Sequence, residues 1–391
     1  LLTTYRPVQG LLQQVVELIP CIQDGQQEFL DVLGAHTDAG AEIDINSVCE
    51  RLTFDIISKT AFGIDTGVQR SPEQPLFQVA LAAIPSFMTG FFYNVGQNLF
   101  HWTWLLKGFS KVIGMIYTNP LTALSDKAVD VIEFRRQNPQ VSLPDMTQIL
   151  LDNALARRND TKGKNCVTSK KRAPLPKHTM DEISGNCMVI FLAGYDTTRL
   201  ALTYWFYVMG RYQDIQEKVR REALDAFEKE GKERSMQTLL GLQYANQVIN
   251  ETLRMYPPLV TMVTRAAEDD FHCGKYLIRN DTSVIVPTYQ LHHDPQYWNE
   301  PEKFNPERFS PENKELIHPI VFHPFGLGRR LCIGSRLALA EILSVTTEVL
   351  RNFRITLGPS QKLDLELETY AIMSVPKQKV WIRMHRLSDE K

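Results

Sequence analysis

The feature that most constrains the fold is a series of long segments with helical periodicity, while strand-like segments are short and confined to the second half of the chain. Helices are predicted near residues 11–34, 45–62, 121–137, 181–209, 211–230, 243–256 and 335–352. Strands are predicted near residues 259–265, 275–278, 283–287 and 363–385. Because strands do not alternate with helices, the pattern predicts a mainly α protein with a small β region rather than repeated βαβ units.

Composition narrows the class of protein further. The 391 residues are 43% hydrophobic and 23% charged, which predicts a single large globular domain over residues 1–391. A net charge of -2 without a dominant basic face argues against a nucleic-acid partner. The six cysteines are scattered and form no Cys-x-x-Cys pair, which indicates free thiols in a reducing compartment.

A decapeptide at residues 325–334, FGLGRRLCIG, places Cys332 in a glycine-rich turn directly before the helical segment 335–352. Iron binds a thiolate, and a thiolate in an apolar pocket has to be stabilised without water. The glycines Gly328 and Gly334 can adopt backbone conformations closed to other residues, so the turn can lie close under a flat macrocycle and direct N–H groups at the sulfur. The pattern therefore predicts a haem-iron ligand. A buried structural cysteine is the alternative.

Two further residues of the decapeptide fit a haem site. Arg330 is placed to reach a haem propionate, because a guanidinium pairs well with a carboxylate. Phe325 can pack against the turn and limit the access of water to an iron–sulfur bond. Both assignments depend on the cysteine being the iron ligand.

The decapeptide resembles the haem-binding loop of the cytochrome P-450 family, Phe-x-x-Gly-x-Arg-x-Cys-x-Gly, at every fixed position. The resemblance implies the fold of that family: a helical body with haem b between a distal, oxygen-activating helix and the helix that follows the cysteine loop. It also implies that the Cys332 thiolate is the axial ligand. Donation from a thiolate favours cleavage of the O–O bond of dioxygen.

A charged cluster is predicted next to the cysteine loop. Glu251 and Arg254 are three residues apart on one helix and can pair, and Arg308 lies in a later Pro-Glu-Arg-Phe sequence. The same order of motifs occurs in the cytochrome P-450 family. We therefore expect these three residues to form a buried structural network that supports the cysteine loop without acting in catalysis. An exposed ion pair on a solvated helix is the alternative.

The distal helix is assigned to residues 181–209, with Ala-Gly-Tyr-Asp-Thr-Thr at positions 193–198. Ala193 and Thr197 are four residues apart and share a helix face, and the small Ala193 and Gly194 leave space above an iron. Gly and Thr weaken a helix interior, so local opening is expected here. By resemblance, Asp196 and Thr197 deliver protons during oxygen activation. A helix with a polar patch is the alternative.

The β-rich run after the helix at 243–256 supplies candidates for the pocket wall. By resemblance Arg265 is a second propionate ligand. Val260, Thr261 and Met262 on the same run, with Ile372 near the C-terminus, are apolar or small enough to line a substrate pocket. Simple core packing is the alternative for each of these four.

The resemblance implies that the sequence lacks the N-terminal membrane anchor, the β-rich region at the substrate entrance and an arginine that contacts a propionate. Residues 74–106 contain no Asp, Glu, Lys or Arg and are rich in aromatic side chains. Proline, glycine and asparagine interrupt this stretch, so it suits contact with a membrane surface better than a crossing. Buried lid packing is the alternative.

Within the family, the sequences at 251–258 and 292–309 are most similar to animal microsomal enzymes, in the branch of the drug- and steroid-oxidising family three and thromboxane synthase. The resemblance implies a monooxygenase that takes electrons from NADPH through NADPH-cytochrome reductase, with cytochrome b5 as an optional partner. A lipophilic small molecule and the cytoplasmic face of the endoplasmic reticulum membrane are the implied substrate class and location. Asp196 and Thr197 favour oxygen insertion, because a rearranging enzyme gains nothing from a proton relay. A haem-thiolate isomerase and a truncated chain without activity are the alternatives.

Overall fold

The structure is a computed structural model that describes residues 8–89, 120–141, 143, 145–162, 177–230, 235–261 and 263–387. The chain divides into two compact units. One comprises Leu1–Val32 and Glu50–Asp196, and the other Leu33–Cys49 and Thr197–Lys391. The single domain expected over residues 1–391 stays a prediction.

The first half of the described chain is helical apart from one two-residue strand. Its elements, in order, are α1 (Val8–Asp38), β1 (Ile43–Asp44), α2 (Ile45–Phe62), α3 (Pro75–Thr89), α4 (Pro120–Gln137), α5 (Met146–Lys162) and α6 (Lys177–Arg211).

The second half contains shorter helices, two 3₁₀ turns and most of the strands. Its elements are α7 (Gln213–Glu230), α8 (Met236–Gly241), α9 (Gln243–Met255), β2 (Val263–Ala266), β3 (Phe271–Cys273), β4 (Tyr276–Ile278), β5 (Ser283–Val286), α10 (Thr288–His293), a 3₁₀ turn (Pro306–Phe309), α11 (Pro311–Lys314), a 3₁₀ turn (Gly328–Arg330), α12 (Ser335–Asn352), β6 (Phe353–Leu357), β7 (Leu367–Tyr370), β8 (Met373–Pro376) and β9 (Trp381–Arg386).

The core of the first unit is built around aromatic rings of α2, α3 and α6. Phe54 lies edge-on to Phe77, Phe191 and Tyr195, with centroids 4.9, 5.4 and 5.8 Å apart. Edge-to-face geometry of this kind adds to the free energy of apolar burial. The hydroxyl of Tyr195 donates to Glu50 Oε1 at 3.0 Å, so the one polar atom of this ring has a partner.

The strands form small antiparallel sheets: β1-β9-β6, β2-β5, β3-β4 and β7-β8. Helix α7 is fastened to the first sheet by an amide side chain. Gln216 Nε2 donates to the carbonyl of Ile355 at 2.8 Å, and the N–H of Ile355 donates to Gln216 Oε1 at 2.9 Å. The two bonds satisfy both backbone groups of a strand residue that a buried edge would otherwise leave unpaired.

The described elements confirm the predicted fold class, mainly α with a small β region. No helix among the residues described combines the length and apolar character needed to cross a bilayer. Residues 90–106, with most of the aromatic stretch assigned to a membrane surface, lie outside the described residues.

Candidate functional site

The cysteine loop is closed by its own backbone. The N–H of Cys332 donates to the carbonyl of Phe325 at 2.8 Å, and the N–H of Gly326 donates to the carbonyl of His323 at 2.9 Å. Between these bonds the chain makes the 3₁₀ turn Gly328–Arg330. The loop therefore has a defined shape that brings the cysteine back beside Phe325 just before α12 begins.

Cys332 is half-buried. Burial raises the pKa of its thiol, while the nearby backbone N–H groups of Gly334 and Ser335 lower it. Gly334 caps α12 and Ser335 is its first residue, so both N–H groups lie at the helix start, where N–H groups have no partner within the helix. Because burial still dominates, a thiolate here requires a positive partner at the sulfur, and a metal ion would supply one.

Two glycines of the loop adopt left-handed backbone conformations, Gly326 with φ 78° and Gly328 with φ 72°. A side chain at Gly328 would meet nothing within 4 Å, so the backbone conformation alone favours glycine there. The expectation for Gly334 is wrong in this respect. It caps α12 with φ -88°, a value open to any residue, and the left-handed conformations lie at Gly326 and Gly328 instead.

The other loop residues are placed as follows. Phe325 is half-buried and accepts the Cys332 N–H through its carbonyl. Arg330 ends the 3₁₀ turn and is exposed. Arg265 lies on β2 opposite Val284 of β5, and its side chain lies outside the described residues.

Glu251, Arg254 and Arg308 lie together in a buried cluster, which we call the charge network. Glu251 and Arg254 are fully buried, and Arg254 donates to both carboxylate oxygens of Glu251, through Nε at 2.7 Å and Nη2 at 2.9 Å. Arg308 Nε approaches Glu251 Oε1 at 3.3 Å. A bidentate pair of this kind is stronger than two neutral hydrogen bonds.

The charge network also binds the backbone of the segment that precedes the cysteine loop. The N–H of Asn305 donates to Glu251 at 2.9 Å, and Arg254 donates to the carbonyls of His292 and Pro301, both at 2.8 Å. The guanidinium of Arg254 lies 5.2 Å from the ring centroid of Trp298. Each nitrogen of the Arg254 guanidinium thus has a partner, which lets this charge remain buried.

The stripe of α6 that carries Ala193 is accessible. Val189 and Ala193 are exposed and Thr197 is half-buried, at intervals of four residues, whereas Asp196 beside them is buried. These intervals put the three accessible side chains on one face of the helix. That face carries the hydroxyl of Thr197 and the small side chain of Ala193.

The predicted local opening of α6 is wrong, because every residue from Lys177 to Arg211 is α-helical. Close packing accounts for the continuity. A Cβ built on Gly194 would lie 2.7 Å from Ile57 Cδ1, so α2 fills the space that the missing side chain leaves. Here glycine permits a close approach of two helices.

Two of the four residues assigned to the pocket wall are brought together. The N–H of Val260 donates to the carbonyl of Ile372 at 2.9 Å, and the Ile372 side chain is 38% exposed at the β7–β8 turn. Thr261 follows as a half-buried residue, and Met262 lies outside the described residues. Sequence reasoning missed His292, His323 and Asn305, because a side chain or amide that binds distant backbone leaves no local pattern.

Comparison with known proteins gives an independent result. A family profile described as Cytochrome P450 matches residues 6–383. "Probable cytochrome P450 9f2" of Drosophila melanogaster is 30% identical over 351 residues, 88% of this chain and 65% of the relative. "Cytochrome P450 3A6" of Oryctolagus cuniculus is 27% identical, over 92% of this chain and 69% of the relative.

A third similar protein is "Thromboxane-A synthase" of Sus scrofa, 28% identical over 94% of this chain and 72% of the relative. Both groups named for the branch in the sequence analysis therefore occur among the relatives. The chain spans about two thirds of the length of the curated relatives it matches.

Proposed function

Because the chain belongs to the cytochrome P450 family, we propose that it is a monooxygenase that inserts one oxygen atom from dioxygen into a lipophilic small molecule. NADPH provides the electrons through a flavoprotein reductase. The observation that carries the proposal is the half-buried Cys332 beside the backbone N–H groups of Gly334 and Ser335, in a loop whose pattern is that of the family.

Family members use haem with a cysteine thiolate as axial ligand, which confirms the cofactor predicted from the sequence. Bound haem supplies the activation of dioxygen. The loop residues described above fit this group: the sulfur needs a positive partner, and the open space beside Gly328 lets a flat ligand approach the backbone. We assign Cys332 as the axial ligand, with Gly328 and Gly334 shaping the loop.

Other residues of the chain hold the haem and protect the ligand. We assign Arg330 and Arg265 to the propionates, because each can form a charge-assisted hydrogen bond with a carboxylate. Phe325 limits the access of water to the sulfur, and Ala193 leaves room on the distal side. The charge network keeps the loop in place.

Thr197 and Asp196 move protons in this proposal. The Thr197 hydroxyl lies on the accessible stripe of α6, where it can donate a proton toward the distal side. The adjacent Asp196 carboxyl is buried and replaces the proton that the hydroxyl passes on. Val260, Thr261, Met262 and Ile372 contact the substrate.

The partners and location follow from the family alone and are proposals for this chain. A flavoprotein reductase delivers the electrons, and cytochrome b5 can deliver the second one. Residues 74–106 contact the membrane surface, and the protein works at the cytoplasmic face of the endoplasmic reticulum.

The ligand assignment is tested by the Soret band of the reduced, carbon monoxide-bound protein. We expect a thiolate-type band for the wild type and its loss in Cys332→Ser. Cys273→Ser is the matched control, because Cys273 is an exposed free thiol in the β3–β4 hairpin, and this variant should keep the band. Identical spectra for wild type and Cys332→Ser would refute the assignment.

Oxygen insertion is tested by product analysis under labelled dioxygen. A monooxygenase transfers one labelled atom to its product, whereas an isomerase of the thromboxane synthase type transfers none. Product formation without label would show that the isomerase alternative is correct.

The proton relay is tested by comparing Thr197→Ala with Thr197→Ser. The serine variant retains the hydroxyl, so it should retain the coupling of NADPH consumption to product, and the alanine variant should lose about tenfold or more. Equal coupling in the two variants would remove Thr197 from the mechanism.

A further inference from the structure

We infer that His292 is a positioning residue for the cysteine loop: its ring, fixed to the charge network, holds the backbone of His323 where the loop begins. The inference rests on the proposed function, because the loop has a reaction to serve only if Cys332 binds haem. It adds a neutral imidazole to a region in which sequence reasoning found only charged residues.

One end of His292 is fixed to the charge network. Its carbonyl accepts a hydrogen bond from Arg254 Nη1 at 2.8 Å, and the preceding carbonyl, of Leu291, accepts one from Trp298 Nε1 at 2.9 Å. Both lie in the short helix α10 (Thr288–His293), and His292 is fully buried. Arg254 is in turn held by the two oxygens of Glu251. The position of the imidazole is therefore set by the network.

The other end of His292 reaches the cysteine loop. The backbone N–H of His323 donates to His292 Nε2 at 3.2 Å. From His323, one bond leads from its carbonyl to the Gly326 N–H, and the next joins the Phe325 carbonyl to the Cys332 N–H. Hydrogen bonds, joined through the intervening residues, thus connect Glu251 with the cysteine.

This arrangement requires a particular form of the ring. Because Nε2 accepts an N–H, it cannot carry a proton, and the proton of the neutral ring resides on Nδ1. Within the described part of the chain, Nδ1 is buried and has no hydrogen-bond partner. An unsatisfied buried N–H is unfavourable, so the chain tolerates a penalty to keep an acceptor opposite His323.

The surroundings keep this acceptor neutral. Burial, with smaller contributions from the neighbouring His323, His293 and Arg254, lowers the pKa of His292 to about 3. The ring therefore remains an acceptor throughout the physiological pH range.

The side chain of His323 makes a second connection to α10. Its Nδ1 lies 3.0 Å from the carbonyl of Ile320, and its Nε2 lies 3.3 Å from Thr288 Oγ1. Thr288 and His292 are the first and fifth residues of α10. The start of the loop is thus held at both ends of this six-residue helix, and of the two contacts the His292 bond is the one made to the backbone.

Ring packing is the simpler explanation for a buried histidine, and it has to be separated from the hydrogen bond. The His292 ring lies 5.4 Å from the rings of both Phe322 and His323. His292→Phe retains a ring but has no acceptor. His292→Gln loses the ring but can place Oε1 near the position of Nε2, so the two variants separate packing from hydrogen bonding.

The experiment measures hydrogen exchange of the His323 amide in the wild type and both variants, with the rate of loss of the thiolate-type Soret band as a second readout. We expect His323 exchange to be about tenfold faster in His292→Phe, equivalent to 1.4 kcal/mol, and within about twofold of wild type in His292→Gln. The Soret band should decay in the same order. Equal exchange in both variants, or faster exchange in the glutamine variant alone, overturns the inference.

A measurement on the wild type covers the case in which His292→Phe fails to fold. Nitrogen-15 spectra of labelled histidine report the tautomer directly. A neutral His292 with its proton on Nδ1 supports the inference, and a proton on Nε2 overturns it. Amide exchange and tautomer do not depend on haem, so a wild type without a thiolate-type band would refute the proposed function while these readouts still decide the role of His292.

Discussion

Two buried carboxylates in the second unit have opposite surroundings. Glu251 of α9 receives four hydrogen bonds, two from Arg254 and one each from Asn305 and Arg308. Glu341 of α12 is 5% exposed, and its Oε1 has no partner among the described residues. Burial alone raises the pKa of Glu341 to about 8. Both carboxyls are buried, so the hydrogen-bond donors around a carboxyl, rather than the extent of its burial, decide whether the charged form is stabilised.

The largest expected effect comes from removing the charge of Glu251. Glu251→Gln leaves the buried guanidinium of Arg254 without its counter-charge, and we expect a loss of about 3–5 kcal/mol in the free energy of unfolding, measured in urea. Glu302→Gln is the matched control, because Glu302 is an exposed carboxylate next to Pro301, whose carbonyl the charge network binds. An unfolding midpoint equal to that of the control would mean that the charge network does not stabilise the fold.

The second-largest expected effect is a gain in stability, on replacement of Glu341. An acid whose pKa rises from 4.5 to about 8 on folding costs roughly 3 kcal/mol of stability at pH 7, so Glu341→Gln should stabilise the protein by up to that amount. The unfolded chain releases this proton near pH 4.5 and the folded chain near pH 8, so wild-type stability falls as pH rises between these values.

The pH dependence provides the check on Glu341. Unfolding in urea at pH 5 and at pH 8 should show a small gain for Glu341→Gln at the lower pH and a large gain at the higher one. A gain that is the same at both pH values would mean that the substitution does not act through a raised pKa of Glu341, and a loss at both would mean that Glu341 has a partner and resembles Glu251.

The smallest expected effect comes from replacing Arg308 of the charge network. Arg308 approaches Glu251 at 3.3 Å, while Arg254 and the Asn305 N–H remain bound, so Arg308→Gln should cost only about 1–2 kcal/mol. Lys303→Gln, which removes an exposed pair with Glu300, should change the unfolding free energy by less than about 0.5 kcal/mol. A larger loss for Lys303→Gln than for Arg308→Gln would invert the proposed order.

Helix prediction succeeded where apolar periodicity was strong and the ends were marked. The predicted segments 45–62 and 335–352 coincide with α2 and α12. Helix α5 (Met146–Lys162) was missed because its apolar side chains form no clear stripe, although a start signal was present: the Asp145 carboxylate accepts the Gln148 N–H at 2.9 Å.

Strand pairing was beyond the sequence because it depends on distant residues. Strand β6 continues directly from α12 and pairs with β9, with Phe353 opposite Arg386, and no local pattern fixes that register. Dependence on distant residues also distinguishes the residues of the candidate site that could be predicted from those that could not. Residues in a spaced motif, such as Glu251 with Arg254, could be predicted, whereas a side chain that accepts a distant backbone N–H, such as His292, could not.

The contact between Gly194 and Ile57 has a consequence for how this protein can diverge. A Cβ at position 194 would lie 2.7 and 3.2 Å from two carbons of the Ile57 side chain, so alanine fits there only if that side chain moves or becomes smaller. Positions 57 and 194 should therefore vary as a pair among closely related chains, with a larger residue on α6 accompanied by a smaller one on α2. Whether a substitution at one of these positions is tolerated therefore depends on which residue already occupies the other.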